Sequence, residues 1–171
     1  MRTLDDIPLA ADQIARQLGS DKAGTAFVAK WKSEYQKIFQ PDRFSKMPLY
    51  PKTLIEVQYE PLYAAASDTF LDQIVSLCGG VNIFGKQTGY PRLSREKVFA
   101  NPPAIILAVD HIQSVKDKND IIDGWRKFPM TAKAQIIFVN PDIASRPGPR
   151  LLEGAKEICA GIKTNSLEHG R

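Results

Sequence analysis

Three loops that we expect to follow strands of a sheet carry side chains suited to ligand binding. They hold Pro61 and Tyr63 in the first loop, Asp110 and His111 in the second, and Asp142, Ser145 and Arg146 in the third. Together they offer an aromatic face, two carboxylates and a guanidinium, which can stack on, hydrogen-bond to and charge-match a small molecule. Taken singly, Asp142 and Arg146 have a simpler interpretation, in which they pair with each other or cap the final helix.

The sequence carries no pattern typical of catalysis or of a metal centre. No serine lies in a nucleophile elbow and no glycine-rich phosphate loop is present. His111 and His169 lack the spaced partners that a zinc site requires. We therefore expect binding chemistry, without a cofactor or a bound metal.

The chain contains two cysteines, Cys78 and Cys159, each at an apolar position of a predicted amphipathic helix. Such a pair is consistent with a disulfide and equally with two buried thiols. Composition alone leaves both interpretations open.

Around these residues the sequence alternates between predicted strands and helices. Strands are predicted over 54–59, 104–109 and 134–139, the last two as continuous apolar runs that favour burial on both faces. In the first strand, Ile55, Val57 and Tyr59 share one face. We predict an α/β fold with a mostly parallel sheet flanked by helices on both sides. In such a sheet the carboxyl ends of the strands lie at one edge, where the three loops would meet.

Several helices are predicted from apolar spacing and capping residues. Ser67 and Asp68 can cap a helix that ends at Cys78, and Ser94 can cap a short helix carrying Glu96. The predicted N-terminal helix ends at Gly19, and its Leu9, Ile14 and Leu18 are expected to face inward. A longer helix over 21–39 carries the aromatic stripe of Phe27, Trp31 and Tyr35, which calls for a partner surface. Residues 41–52 read as a loop and 163–171 as a frayed tail.

Composition sets broad limits on function. With 171 residues, one domain is expected, and 43% hydrophobic and 25% charged residues are typical of a globular protein. The net charge of +4 is scattered along the chain, which disfavours nucleic-acid binding. No apolar run approaches the roughly 20 residues that span a bilayer. Residues 2–6 lack the apolar core of a signal peptide, which indicates the cytosol unless the chain is cut from a secreted precursor.

Several motifs resemble one family, the periplasmic solute-binding proteins of cobalamin, haem and iron-siderophore ABC importers, and its cobalamin-binding members most of all. The motifs, in order, are Cys78-Gly79-Gly80, Asn82-Ile83-Phe84, Pro91-Arg92-Leu93-Ser94-Arg95-Glu96, then Asp142, Arg146, Pro149-Arg150 and Cys159. The resemblance covers nearly the whole chain. It implies that 1–20 is the end of an N-terminal lobe, 21–40 a bridging helix and 41–171 the C-terminal α/β lobe.

The resemblance also implies roles for single residues. Tyr63 and Tyr90 stand where the family places aromatic rings against its ligand, although cobalamin-binding members have phenylalanine and tryptophan there. Asp142 and Arg146 stand at polar contacts of the cleft, and a neighbouring acid is replaced by serine in this chain. Glu96 matches a glutamate that docks on arginines of the permease. Cys78 and Cys159 match a disulfide.

The function that follows is capture of cobalamin and its delivery to an ABC importer permease, with no bond chemistry. The expected location is the periplasm, with the N-terminal lobe and signal peptide lost from this chain. An alternative within the family is a ferric siderophore or haem as ligand, since phenol rings can stack on a macrocycle or ligate ferric iron. An alternative of another class is a cytosolic α/β interaction module, which two free thiols would favour.

Overall fold

The computed structural model describes residues 3–40, 50–109, 115–144 and 146–169. Its helices are α1 (Asp6–Gln17), α2 (Asp21–Ile38), α3 (Phe70–Leu77), α4 (Arg95–Phe99), α5 (Val115–Arg126), α6 (Pro141–Ala144) and α7 (Leu151–His169). Its strands are β1 (Lys52–Gln58), β2 (Tyr63–Ala64), β3 (Val81–Asn82), β4 (Ile105–Ala108) and β5 (Gln135–Phe138).

The strands form one mostly parallel sheet, as the alternation of strands and helices predicted. The order is β2-β1-β4-β5, and β3 pairs with the start of β1. Strands β1, β4 and β5 run parallel, with Ile55 opposite Leu107 and Leu107 opposite Ile137. Only β2 is antiparallel, because it returns along β1 after a short turn.

Successive strand residues point to opposite sides of the sheet, so the sheet separates two apolar cores. On one side Ile55 and Leu107 pack among the buried residues of α3 and α7 and beneath Trp31 of α2. On the other side Leu54 and Ile106 pack with the buried ring of Trp125 from α5. The predicted α/β class, with helices on both faces of the sheet, is confirmed.

A disulfide joins Cys78, at the end of α3, to Cys159 in α7. Both half-cystines lie in the same apolar core. Of the two interpretations that composition left open, the bonded one is correct. The bond ties two helices that cover the same face of the sheet.

The prediction that the apolar residues of α1 face inward is wrong. Leu9, Ile14 and Leu18 are 63%, 57% and 74% exposed, whereas Ile7 and Pro8 of the first turn are buried. The reason is that α1 packs mainly against α2 and only its beginning reaches the core. An apolar stripe shows that a helix has a face, and here three residues of that face remain largely exposed.

Two expectations about β1 and α3 also need correction. Tyr59 lies beyond the end of β1 and packs with Trp125, on the side of the sheet opposite Val57, because the backbone turns after Gln58. Thr69 caps α3 by accepting a hydrogen bond from the Asp72 N–H at 3.2 Å, in place of Ser67 or Asp68.

The predicted tail over 163–171 is largely helical, since α7 extends to His169. Asn165 and Ser166 are buried in this last part of the helix. Because these two side chains are polar, the pattern of apolar residues gave no indication that this segment packs on the domain.

Candidate ligand-binding rim

Tyr63 stands at the carboxyl end of β1. The chain leaves β1 after Gln58, turns through 59–62, and begins β2 at Tyr63, which lies opposite Gln58. Leu62 is buried under this turn, and Tyr63 is half-buried. The first predicted loop therefore presents an aromatic ring at the end of the sheet where ligands of open α/β folds bind.

Tyr90 lies on a segment that runs along the outer edge of β2. The Ala66 N–H donates to the Gly89 carbonyl at 2.8 Å and the Ala64 N–H donates to the Pro91 carbonyl at 3.2 Å. Gly89 has a φ of 69°, which favours glycine and turns the chain just before Tyr90. The Tyr90 side chain is 48% exposed, and partial burial raises the pKa of its phenol, so the ring keeps its O–H donor at neutral pH.

Asp142 and Arg146 follow β5, which ends at the same edge of the sheet as β1. The Asp142 N–H donates to Oδ1 of Asn140 at 2.9 Å, which fixes the start of α6. Arg150 donates to the Asp142 carbonyl oxygen at 3.4 Å. Asp142 and Arg146 are both exposed, and among the ion pairs of the described residues none joins the two. Their side chains thus face solvent without forming the mutual pair that the sequence left open.

We call Tyr63, Tyr90, Asp142 and Arg146 the rim. Tyr63 begins β2, and Asp142 and Arg146 follow β5. In the order β2-β1-β4-β5, the strands β1 and β4 lie between these two. Three strand spacings of about 4.8 Å separate β2 from β5, which is roughly 14 Å between the two strands. Tyr90 is set back from the sheet end, two residues before Arg92, which bridges Tyr63. Asp110, His111 and Ser145 lie outside the described residues.

Glu96 occupies the first turn of α4 and is exposed. Hydrogen bonds from its own backbone N–H and from the Ser94 hydroxyl hold the pKa of its carboxyl below the usual range, and the neighbouring Arg95 acts in the same direction. The acid is therefore ionised at any pH near neutrality.

Sequence reasoning missed a cluster beside the rim, formed by Glu56, Tyr59, Glu60, Arg95 and Trp125. Glu56 is fully buried within β1, and its Oε2 accepts a hydrogen bond from Trp125 Nε1 at 2.8 Å. The one available clue was an acid inside a strand that the pattern predicted to be partly apolar. We call this group the Arg95 cluster.

Across the described ranges, no group of three or more histidine, cysteine, aspartate and glutamate side chains could hold a metal ion. The same ranges contain no helix with the length and apolar character needed to cross a bilayer. The rim itself carries two phenol rings, a carboxylate and a guanidinium.

Comparison with known proteins relates the chain to substrate-binding proteins, although no family model matches it. It is 31% identical over 164 residues to the vitamin B12-binding protein of Pectobacterium atrosepticum, covering 94% of this chain and 57% of that protein. It is 24% identical over 168 residues to an uncharacterised ABC transporter substrate-binding lipoprotein of Bacillus subtilis, covering 98% and 53%. The chain therefore spans just over half the length of these relatives.

Two solved structures share the fold. A possible iron-binding (periplasmic solute-binding) protein of Staphylococcus epidermidis superposes with a TM-score of 0.80 at 25% identity, over 95% of this chain and 63% of that one. The periplasmic vitamin B12-binding protein of Vibrio cholerae superposes with a TM-score of 0.81 at 21% identity, over 96% and 63%. Nearly all of this chain thus superposes on about two thirds of each of these longer chains.

Proposed function

From the premise that the chain is a homologue of the periplasmic substrate-binding proteins of ABC importers, we propose that it captures cobalamin and delivers it to a membrane permease. The observation that carries this proposal is the 31% identity to a vitamin B12-binding protein along 94% of the chain. The relatives are transport proteins, so the proposed activity is binding and release without bond chemistry. An extracytoplasmic location is part of the proposal, and the Cys78–Cys159 disulfide supports it.

We also propose a domain organisation, which the partial coverage of the relatives supports. Residues 41–171 form the C-terminal α/β lobe, 21–40 the helix that bridges to a second lobe, and 1–20 the end of that N-terminal lobe. The relatives are longer than this chain by the size of such a lobe. The rim is then one half of a cleft, and an N-terminal lobe would supply the other half.

In this proposal the two sides of the rim have different tasks. Tyr63 and Tyr90 stack on the flat corrin ring, and aromatic stacking contributes about 0.5–1.5 kcal/mol per contact beyond burial. Asp142 and Arg146 contact polar groups at the ligand's periphery from the opposite side. The strands β2 and β5, from which the two sides extend, are roughly 14 Å apart, and a span of that order suits a macrocycle better than a simple ion.

Glu96 is proposed to dock on a basic surface of the permease. Its carboxylate is exposed and ionised, and charge complementarity of this kind mainly directs partner choice and association rate. A helix-stabilising acid in the first turn of α4 is the simpler alternative.

Equilibrium dialysis of this chain at high protein concentration against cyanocobalamin, haemin and a ferric hydroxamate chelate tests the ligand. We expect cyanocobalamin to be retained in preference, with weak affinity because one half-cleft buries only part of the ligand. Retention of none of the three would overturn capture by this chain.

A second candidate ligand is haem or a ferric siderophore. It is favoured by the presence of two tyrosines on the rim, because phenolate can ligate ferric iron, and by the similarity to a possible iron-binding protein. A visible charge-transfer band on adding the ferric chelate, lost in Tyr63→Phe with Tyr90→Phe, would support this alternative. Preferential retention of cyanocobalamin without such a band would reject it.

A further inference from the structure

Arg95 is the centre of a layered contact between α4, α5 and the end of β1. Its guanidinium lies 4.7 Å from the ring centroid of Tyr59 and 5.6 Å from that of Trp125. It also forms an ion pair with Glu60 at 3.3 Å. The Arg95 side chain is only about a quarter exposed, at 26%. A planar guanidinium can lie flat against aromatic rings while it pairs with a carboxylate, and the compact ammonium of lysine does not reproduce that combined geometry.

The rings under Arg95 are themselves fixed. Trp125 is fully buried and donates its Nε1 hydrogen to Glu56 of β1 at 2.8 Å. Tyr59 meets Trp125 edge-to-face, and its hydroxyl lies so near Gly124 that a Cβ there would be 1.6 Å from it. The surface on which Arg95 rests therefore has little freedom to move.

The same region joins α4 to the rim. The Leu93 N–H donates to the Leu62 carbonyl at 2.9 Å, and Tyr63 is bridged to Arg92. The segment from Tyr90 to Leu93 is thus paired with the start of β2 and runs directly into α4. Glu96 follows only six residues after Tyr90.

Helix α4 has five residues, too few to be stable by itself. Its orientation must come from contacts with the rest of the domain. Val98 supplies an apolar contact at the buried face, and Arg95 supplies the polar and aromatic contact at the first turn. Glu96, directly after Arg95, is exposed.

We propose that Arg95 is a positioning residue, which fixes the first turn of α4 on Tyr59, Trp125 and Glu60 and thereby holds Glu96 at a set place relative to the rim tyrosines. This inference rests on the proposed docking role of Glu96. As a consequence, Glu96 and the rim tyrosines keep a fixed position relative to each other when the permease docks on Glu96.

Hydrogen exchange on the chain itself tests the positioning. Arg95→Ala should raise the exchange rate of the α4 amides roughly tenfold, while amides of β4 stay protected. Arg95→Lys should fail to restore protection, because an ammonium cannot stack in the same way. Lys97→Ala, an exposed cation in the same helix, is the matched control and should leave exchange unchanged. Unaltered exchange in Arg95→Ala would overturn the proposal.

A double-mutant cycle tests the link to docking, using binding to proteoliposomes that contain the permease. Loss of a cation next to Glu96 should by charge alone strengthen binding to a basic surface, so the two explanations predict opposite signs. If Arg95 acts through position, Arg95→Ala weakens binding roughly tenfold, and Arg95→Ala with Glu96→Gln is no weaker than Glu96→Gln alone.

Tighter binding by Arg95→Ala, or additive losses in the double variant, would overturn the role of Arg95 while leaving the proposed function intact. Absence of binding by the unsubstituted chain would overturn the proposed function, and this role with it. The exchange experiment needs no permease, so the two failures are distinguishable.

Discussion

Cys78 and Cys159 are bonded to each other across 81 residues of sequence, which fastens α3 to α7 on one face of the sheet. The two helices also pack directly, through apolar side chains such as Ile74 and Ile158. The covalent link therefore reinforces a contact that the hydrophobic core already makes.

Replacing both cysteines by alanine should lower the free energy of unfolding by roughly 4 kcal/mol or less. The chain-entropy model gives about 4.5 kcal/mol for a closed loop of this length, and engineered or removed bonds often deliver less. Urea unfolding of the oxidised protein and of Cys78→Ala with Cys159→Ala measures the difference. Dithiothreitol should destabilise the unsubstituted chain and leave the double variant unchanged. Two free thiols in oxidised protein, seen by mass analysis after alkylation, would contradict the pairing.

The central strands were predictable because their chemistry is uniform. The runs over 104–109 and 134–139 are apolar without interruption, and strands with both faces covered require that composition. The observed β4 and β5 lie within these runs. The disulfide was supported by family resemblance, since cysteine positions alone were also consistent with two buried thiols.

Other features escaped prediction because they depend on what lies opposite a residue. Leu9, Ile14 and Leu18 form an apolar stripe and yet are largely exposed, because sequence periodicity carries no information about how much of a helix face the neighbouring element covers. Buried Glu56 is tolerated because Trp125, 69 residues away, donates a hydrogen bond to it. The rim residues came from the resemblance and from the rule that parallel strands end together, while their role in binding stays a prediction.

Gly124→Ala should destabilise the protein by about 1–3 kcal/mol, the usual cost of forcing extra volume into a packed site. The added Cβ would lie 1.6 Å from the Tyr59 hydroxyl oxygen, so the ring and the Arg95 cluster must shift. Helix propensity alone predicts the opposite, since alanine is favoured over glycine in a helix by about 1 kcal/mol. Thermal unfolding decides the sign.

Two variants check the cause of that effect. Gly148→Ala, outside the helices, is the control for an added Cβ without a clash, because a Cβ there meets nothing within 4 Å, and it should be close to neutral. Tyr59→Phe combined with Gly124→Ala should recover part of the loss, since the oxygen is then absent. A Gly124→Ala protein as stable as the parent would show that the Tyr59 contact is not tight.

Glu34 should contribute to stability only above acidic pH. Its carboxylate bridges Lys37 at 2.9 Å and Lys156 at 3.0 Å, which lowers its pKa from 4.5 to about 2. A depressed folded-state pKa gives a contribution that is complete above the unfolded pKa of 4.5 and is lost as pH falls toward 2. This contribution to stability is small because both ion pairs of Glu34 are solvent-accessible, and salt should reduce it further.

Urea midpoints of the parent and of Glu34→Gln, measured from pH 7 to pH 2 at low salt, test this contribution. The difference between the two proteins should be constant above pH 5 and shrink between pH 4.5 and 2. Glu157→Gln, at an exposed position of α7, serves as the control for loss of an acid. A difference that grows on acidification would contradict the assignment.

The rim prediction concerns Tyr63 and Tyr90 together. Replacing both by alanine should weaken retention of cyanocobalamin by about 1–3 kcal/mol, because each aromatic contact contributes about 0.5–1.5 kcal/mol beyond burial. Tyr50→Ala is the matched control, since Tyr50 is 51% exposed but precedes β1, at the opposite end of the sheet. Because the proposed site is one half of a cleft, the affinity of the unsubstituted chain is measured first, at protein concentrations high enough to approach saturation. Unchanged retention in the double variant, with weaker retention in Tyr50→Ala, would place the corrin ring elsewhere on the domain.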